Sequence, residues 1–222
     1  MTGEIPMVAA ALAGVPAGVQ SLGPWAGRRQ LFVRFAGEAE TATMYVATAL
    51  VRELERQLSR STFHSIVIGG RDPLGNVPFL LAALTAAKPR IPVMLDTDGQ
   101  RPEALGELLP FLALTQVTVE FTGSEASVDH AIATISTAAK AGCAHALAIC
   151  AREETPDSLM LRLVEEAHRA SVATQVVIHP FFQMGDNSPM LERRWAGLLE
   201  QAMAMHADVR LALRLPPPTG LR

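Results

Sequence analysis

Ser65-Ile66-Val67-Ile68-Gly69-Gly70-Arg71-Asp72-Pro73-Leu74 passes from a β-branched apolar run into a glycine turn and then a proline. Three successive β-branched residues suit a strand covered on both faces, and two glycines permit a tight exit from it. The amphipathic run Val77–Ala87 follows at once, so the unit reads as strand, turn, helix.

The same unit recurs along the chain. Further strands are predicted at Gln30–Phe35, Pro92–Asp96, Gln116–Phe121, His145–Cys150, Thr174–His179 and Val209–Leu213. Helices are predicted over Thr43–Leu58, Arg101–Leu109, Ser127–Ala141, Thr155–Ala170 and Pro189–Met205. Thr155 reads as an N-cap with Pro156 at the first helical position. Strands that alternate with helices across short connections form right-handed βαβ units and a parallel sheet. The expected fold is therefore α/β: a partial or modified TIM-like barrel of about six to seven parallel strands, in one domain spanning residues 1–222.

The chain has 222 residues, 49% hydrophobic and 18% charged, enough apolar surface for a single core. Aromatics are only 5%, so aliphatic side chains must fill it. The net charge is −3 with no dense cationic block, which argues against a phosphate-tracking nucleic-acid surface. Met7–Val19 has the length of a signal core, but Glu4 precedes it and no Lys or Arg does. A soluble cytoplasmic protein is expected, without a membrane span. Cys143 and Cys150 differ by an odd number of positions, which on a strand puts them on opposite faces; they read as free buried thiols.

In a parallel barrel, working residues collect where strands end. Those positions hold Glu38, Glu40, Gly69, Gly70, Arg71, Asp72, Asp96, Glu120, Cys150 and His179. Asp96, Glu120 and His179 are residue types that bind divalent ions, yet their spacing carries no metal motif, and no metal is expected. Gly69 and Gly70 let a ligand approach the backbone, or serve the turn geometry alone. Glu38 and Glu40 are either a new acid/base pair or ordinary first-turn carboxylates of the next helix.

Val19-Gln20-Ser21-Leu22-Gly23-Pro24-Trp25-Ala26-Gly27-Arg28-Arg29, leading into Phe32-Val33-Arg34-Phe35-Ala36-Gly37, resembles the opening of the 7-carboxy-7-deazaguanine synthases of the radical-SAM superfamily. Gly69–Leu74 is similar to that family's TGGEPL, Leu95–Gly99 to its LETNG, and the tail from Asp208 to Arg222 to its ending. The resemblance implies a barrel, and for its complete members a four-iron cluster held by a three-cysteine motif. Glu38, Ala42 and Tyr45 stand at the cysteine positions here. A cubane needs soft anionic thiolates, so a chain lacking them is expected to have no cluster and no radical chemistry.

The candidate ligand residues are Gln20, Arg28, Gly69, Gly70, Arg71, Asp72 and Asp96, which lie in the resembling segments, with Glu120 and His179 added by their strand-end positions; Arg28 is suited to gripping a carboxylate. The leading expectation is a cluster-less binding or interaction protein, with a protein partner or a second copy of itself. Alternatives are a ligand-binding protein that keeps an S-adenosylmethionine-, pterin- or purine-like pocket, and a cluster-free enzyme. No cofactor is expected, S-adenosylmethionine being the one candidate. The helix after Gly37 is expected to start early, at Thr43, and to fill former cluster space.

Overall fold

The computed structural model describes residues 8–121, 126–181 and 189–213. Thr122 to Glu125, and the tail from Arg214 with its resemblance to the family ending, lie outside those residues. In chain order come β1 (Ala9–Gly14), β2 (Ala17–Val19), β3 (Arg29–Phe35), β4 (Thr43–Val46), α1 (Ala47–Arg60), β5 (Ser65–Gly70) and α2 (Val77–Ala87). They are followed by β6 (Val93–Thr97), β7 (Leu114–Glu120), α3 (Ala126–Lys140), β8 (His145–Ala151), α4 (Asp157–Ala170), β9 (Gln175–Pro180), α5 (Pro189–Met205) and β10 (Val209–Leu211).

All ten strands join one sheet in the order β10-β9-β8-β7-β6-β5-β3-β1-β4, with β2 beside β3. The run from β3 through β10 is parallel, seven strands in all, while β1, β2 and β4 add an antiparallel margin. The α/β expectation of a largely parallel sheet with alternating helices holds.

The sheet also curls. Leu31 is the partner of Ala17 on one side and Ile66 on the other, so β2 and β5 flank opposite edges of β3. From β2 to β9 is then six strand spacings, about 29 Å if the sheet were flat. Yet Gly23 N–H donates to His179 Nε2 at 2.8 Å, and Gly23 is only four residues past the end of β2. Four residues reach about 14 Å at full extension. Curvature must supply most of the difference.

Three sequence expectations are corrected. Thr43–Val46 is a strand, not the first turn of a helix: Thr, Tyr and Val pair antiparallel with β1 in the register Ala9↔Val46 to Leu12↔Thr43. Helix α1 starts at Ala47 and buries Leu50 and Leu54. No helix covers Arg101–Leu109; short 3₁₀ turns at Pro102–Ala104 and Leu109–Phe111 take its place, since Pro102, Gly106 and Pro110 interrupt the run. At α4, Pro156 itself is the N-cap, and Thr155 Oγ1 instead accepts from Arg152 N at 2.9 Å. The segment Ala9–Val19, unassigned from sequence, supplies β1 and β2.

The helices cover one face of the sheet. Leu31, Val33, Phe35, Ile66, Ile68 and Leu95 pack with Leu50, Leu54, Phe79 and Leu80. Val117, Val119, Leu147, Ile149, Val176 and Ile178 pack with Ile135, Leu163, Trp195 and Leu198. On the other face Val67, Met94, Leu114 and Ala146 meet Phe32 and Trp25. Cys150, buried on β8, and Cys143, in the turn before it, are not joined in a disulfide. No described helix is long and apolar enough to cross a membrane.

Phe79 is buried and meets Phe35 edge-on, ring centroids 6.3 Å apart. Phe79→Ala is expected to lower unfolding free energy by about 3–5 kcal/mol, read as an earlier urea midpoint with unchanged slope.

Candidate functional site

Alternation along the strands assigns the inner face. Phe32, Val67, Met94, Leu114 and Ala146 define it, and steps of two from them reach Arg34, Gly69, Asp96, Gln116, Thr118, Glu120 and Cys150. Glu120, Cys150 and His179 are successive lateral partners, so they lie side by side at the strand ends. The expected clustering of Gly69, Asp96, Glu120 and His179 at one end of the sheet is observed.

Asp96 is the centre of this face. Its Oδ1 accepts from Thr118 Oγ1 at 2.6 Å and from Gln116 Nε2 at 3.3 Å. Burial pushes its pKa above the ordinary carboxylate range, and repulsion from Glu120 adds to this, while the Thr118 and Gln116 hydrogen bonds oppose it. Gln116 is fully buried and its Oε1 has no hydrogen-bond partner. That oxygen faces Gly23, where an added Cβ would lie 1.7 Å away and force the Gln116 amide to move, and Gly23's φ of +73° would strain any other residue.

The turn Gln20–Arg28 therefore enters the inner face. Gln20 and Leu22 are buried, Gln20 Nε2 pointing to the Met94 sulfur at 3.9 Å. Backbone bonds from Gln20 N to Arg28 O and from Gly27 N to Gln20 O close the turn. His179 anchors it: a carbonyl can only accept, so Nδ1–H donates to Ala212 O at 3.0 Å, and Nε2 keeps the lone pair that receives Gly23 N–H. The imidazole is thus held in one neutral tautomer. That lone pair is not directed at a ligand or metal, and among the described residues no group of three or more His, Cys, Asp or Glu gathers as a metal site.

The glycine turn after β5 works mainly for the fold. Gly70 has φ +95°, and a Cβ there would fall 2.3 Å from Phe35 O. The close backbone approach it permits is to β3. Asp72, at φ +45°, accepts from Gly75 N at 3.0 Å and from Arg101 through both carboxylate oxygens at 2.8–3.0 Å. Arg71 reaches Glu38 at 3.3 Å, an exposed pair of small energetic weight.

The three positions that the sequence resemblance sets against cysteines have separate surroundings. Glu38 is exposed and turned to Arg71, Ala42 is exposed just before β4, and Tyr45 sits on β4 opposite Ala10, packed against the core. Glu40 lies in the turn rather than at a helix start. It accepts from Gly37 N at 3.0 Å and from Arg34 at 2.6 Å, and these, the backbone bond foremost, hold its carboxyl below the usual range. A carboxylate so stabilised is a poor base. Arg28 precedes β3 and lies at the opposite end of the sheet from Asp96 and Glu120, so the structure does not bring it to them.

At the mouth, Glu120, Phe121, Cys150, Arg152, His179 and Phe181 surround a pocket of about 70 Å³. Sites for drug-sized ligands are about 300–1,000 Å³, so among the described residues this one suits only something much smaller. Sequence reasoning missed Arg34, Gln116, Thr118 and Gly23. Gln116 and Thr118 left a signal, two polar residues at a spacing of two within an apolar strand; Gly23 left none.

What the fold and this face define is an α/β protein with a curled, largely parallel sheet whose inner face carries polar strand ends. No family model matches the chain, and no curated protein does. Among solved structures it is similar to QueE from Escherichia coli, with 12% identity, a TM-score of 0.57, and coverage of 97% of this chain and 100% of that one. At that identity the likeness is one of fold.

Asp96 binds its proton more tightly folded than unfolded, so its contribution is fully present below the unfolded value near 3.9 and is lost as pH rises through the raised folded value. Asp96→Asn is expected to raise the melting temperature at neutral pH, with the gain over wild type shrinking on acidification.

Proposed function

We propose that this chain is a cluster-less relative of the radical-SAM barrels that acts as a binding or interaction protein and performs no radical chemistry. The reading rests first on the donor set at positions 38, 42 and 45. An iron–sulfur cubane is held by thiolates. Ala42 has no donor atom, Glu38 is a hard oxygen ligand already facing Arg71, and Tyr45 is packed into the β4 margin. These residues do not fit the group. Cys143 and Cys150 belong to the β8 region and are no substitute.

A second support is the filled inner face. The Gln20–Arg28 turn occupies the space beside Asp96 and Gln116, with Gly23 bonded to His179. Affinity for partners is then more naturally a property of the outer surface than of a deep pocket. QueE-like architecture supplies the frame for this reading and no more than the frame.

Anaerobic reconstitution with iron and sulfide tests it. The expected product is colourless, with iron after desalting no higher than in a Glu38→Ala/Tyr45→Phe double variant. A cluster absorption band that disappears in Cys143→Ser or Cys150→Ser would overturn the reading.

A further inference from the structure

At the far end of the molecule from the polar face, two helices finish beside each other with a histidine each. His168 lies in the last turn of α4, and His206 follows α5 directly. Their Nδ1 atoms are 3.1 Å apart, with ring centroids at 5.4 Å and planes at 74°. His206 is 2% exposed, whereas His168 is partly open to solvent.

The proton positions follow from one bond. His206 Nε2 is 2.6 Å from Thr174 O, and a carbonyl can only accept, so Nε2 carries the hydrogen. In the neutral ring His206 Nδ1 then holds a lone pair, aimed at His168. Metal-binding histidines are commonly oriented in this way, the second ring N–H donating to a backbone carbonyl. Two imidazole nitrogens bound at 2.0–2.1 Å to a tetrahedral ion are about 3.3 Å apart. The observed separation needs a change of only a few tenths of an ångström.

We propose that His168 and His206 form a two-imidazole site for a borderline divalent transition ion such as Zn²⁺, bridging the ends of α4 and α5. Imidazole suits these ions better than Mg²⁺ or Ca²⁺. His206 binds through the lone pair it already presents. His168 passes its proton from Nδ1 to the solvent-facing Nε2, so a neutral pair takes the ion with no net proton release. Water completes the coordination, since no third His, Cys, Asp or Glu among the described residues joins the pair. The ion links α4, α5 and Thr174 just before β9, and so braces the β9–β10 margin. This inference is independent of the function proposed above.

The test is calorimetric titration of the untagged full chain with Zn²⁺ at neutral pH, repeated on His168→Gln and His130→Gln. Glutamine at 168 keeps a polar side chain of good helix propensity but offers no imidazole, so a ligand is removed at a partly exposed position while the fold is kept. Wild type should bind one ion, His130→Gln should match it, and His168→Gln should bind at least about tenfold more weakly. Zn²⁺ should also raise the melting temperature of wild type and not of His168→Gln. No binding by wild type, or equal binding by wild type and His168→Gln, overturns the site.

Discussion

The hydrogen bond from Gly23 N–H to His179 Nε2 ties the first segment of the chain to the ninth strand of the sheet. It requires a glycine pressed against Gln116, an imidazole held as one tautomer by Ala212 O, and a sheet curled enough to bring β2 and β9 within a few residues' reach. A buried backbone amide left without a partner costs about 1–3 kcal/mol, so the clamp is a condition of the packing as well as its result. Around it the inner face is organised: Gln20 and Leu22 buried beneath, Gln116 and Asp96 beside, and Glu120 and Cys150 on the neighbouring strands.

The same geometry limits the chemistry. The residues that could act at the strand ends already serve each other: Asp72 holds Arg101, Glu40 holds Arg34 and Gly37, and His179 holds Gly23. Asp96 is pushed toward its neutral form by burial foremost and by the nearby Glu120, against the hydrogen bonds from Thr118 and Gln116.

Two antiparallel strands at the start of the chain change the role of the segment after Gly37. β1 presents an open edge, and Thr43–Val46 pairs with it. Helix α1 therefore begins after the strand, and Tyr45 turns toward the core. Pairing a sheet edge outweighs the modest helix preference of Ala42 and Met44, since each ladder bond satisfies a backbone group that would otherwise face solvent or remain unpaired.

The seven parallel strands were legible because short apolar runs such as Ile66–Ile68 and Ala146–Cys150 repeat between longer helical stretches, a pattern set by local residue type. The lack of thiolates at 38, 42 and 45 was legible for the same reason, since ligand chemistry belongs to the residue itself. The strand at Thr43–Val46, the Gly23–His179 clamp and the His168–His206 pair were not, since each depends on partners 31 to 156 positions away. Residue type settled the parallel strands, most of the helices and which side chains stand at positions 38, 42 and 45. Tertiary contact alone decided which lone pairs, edges and faces remain in use, because those depend on where distant segments meet.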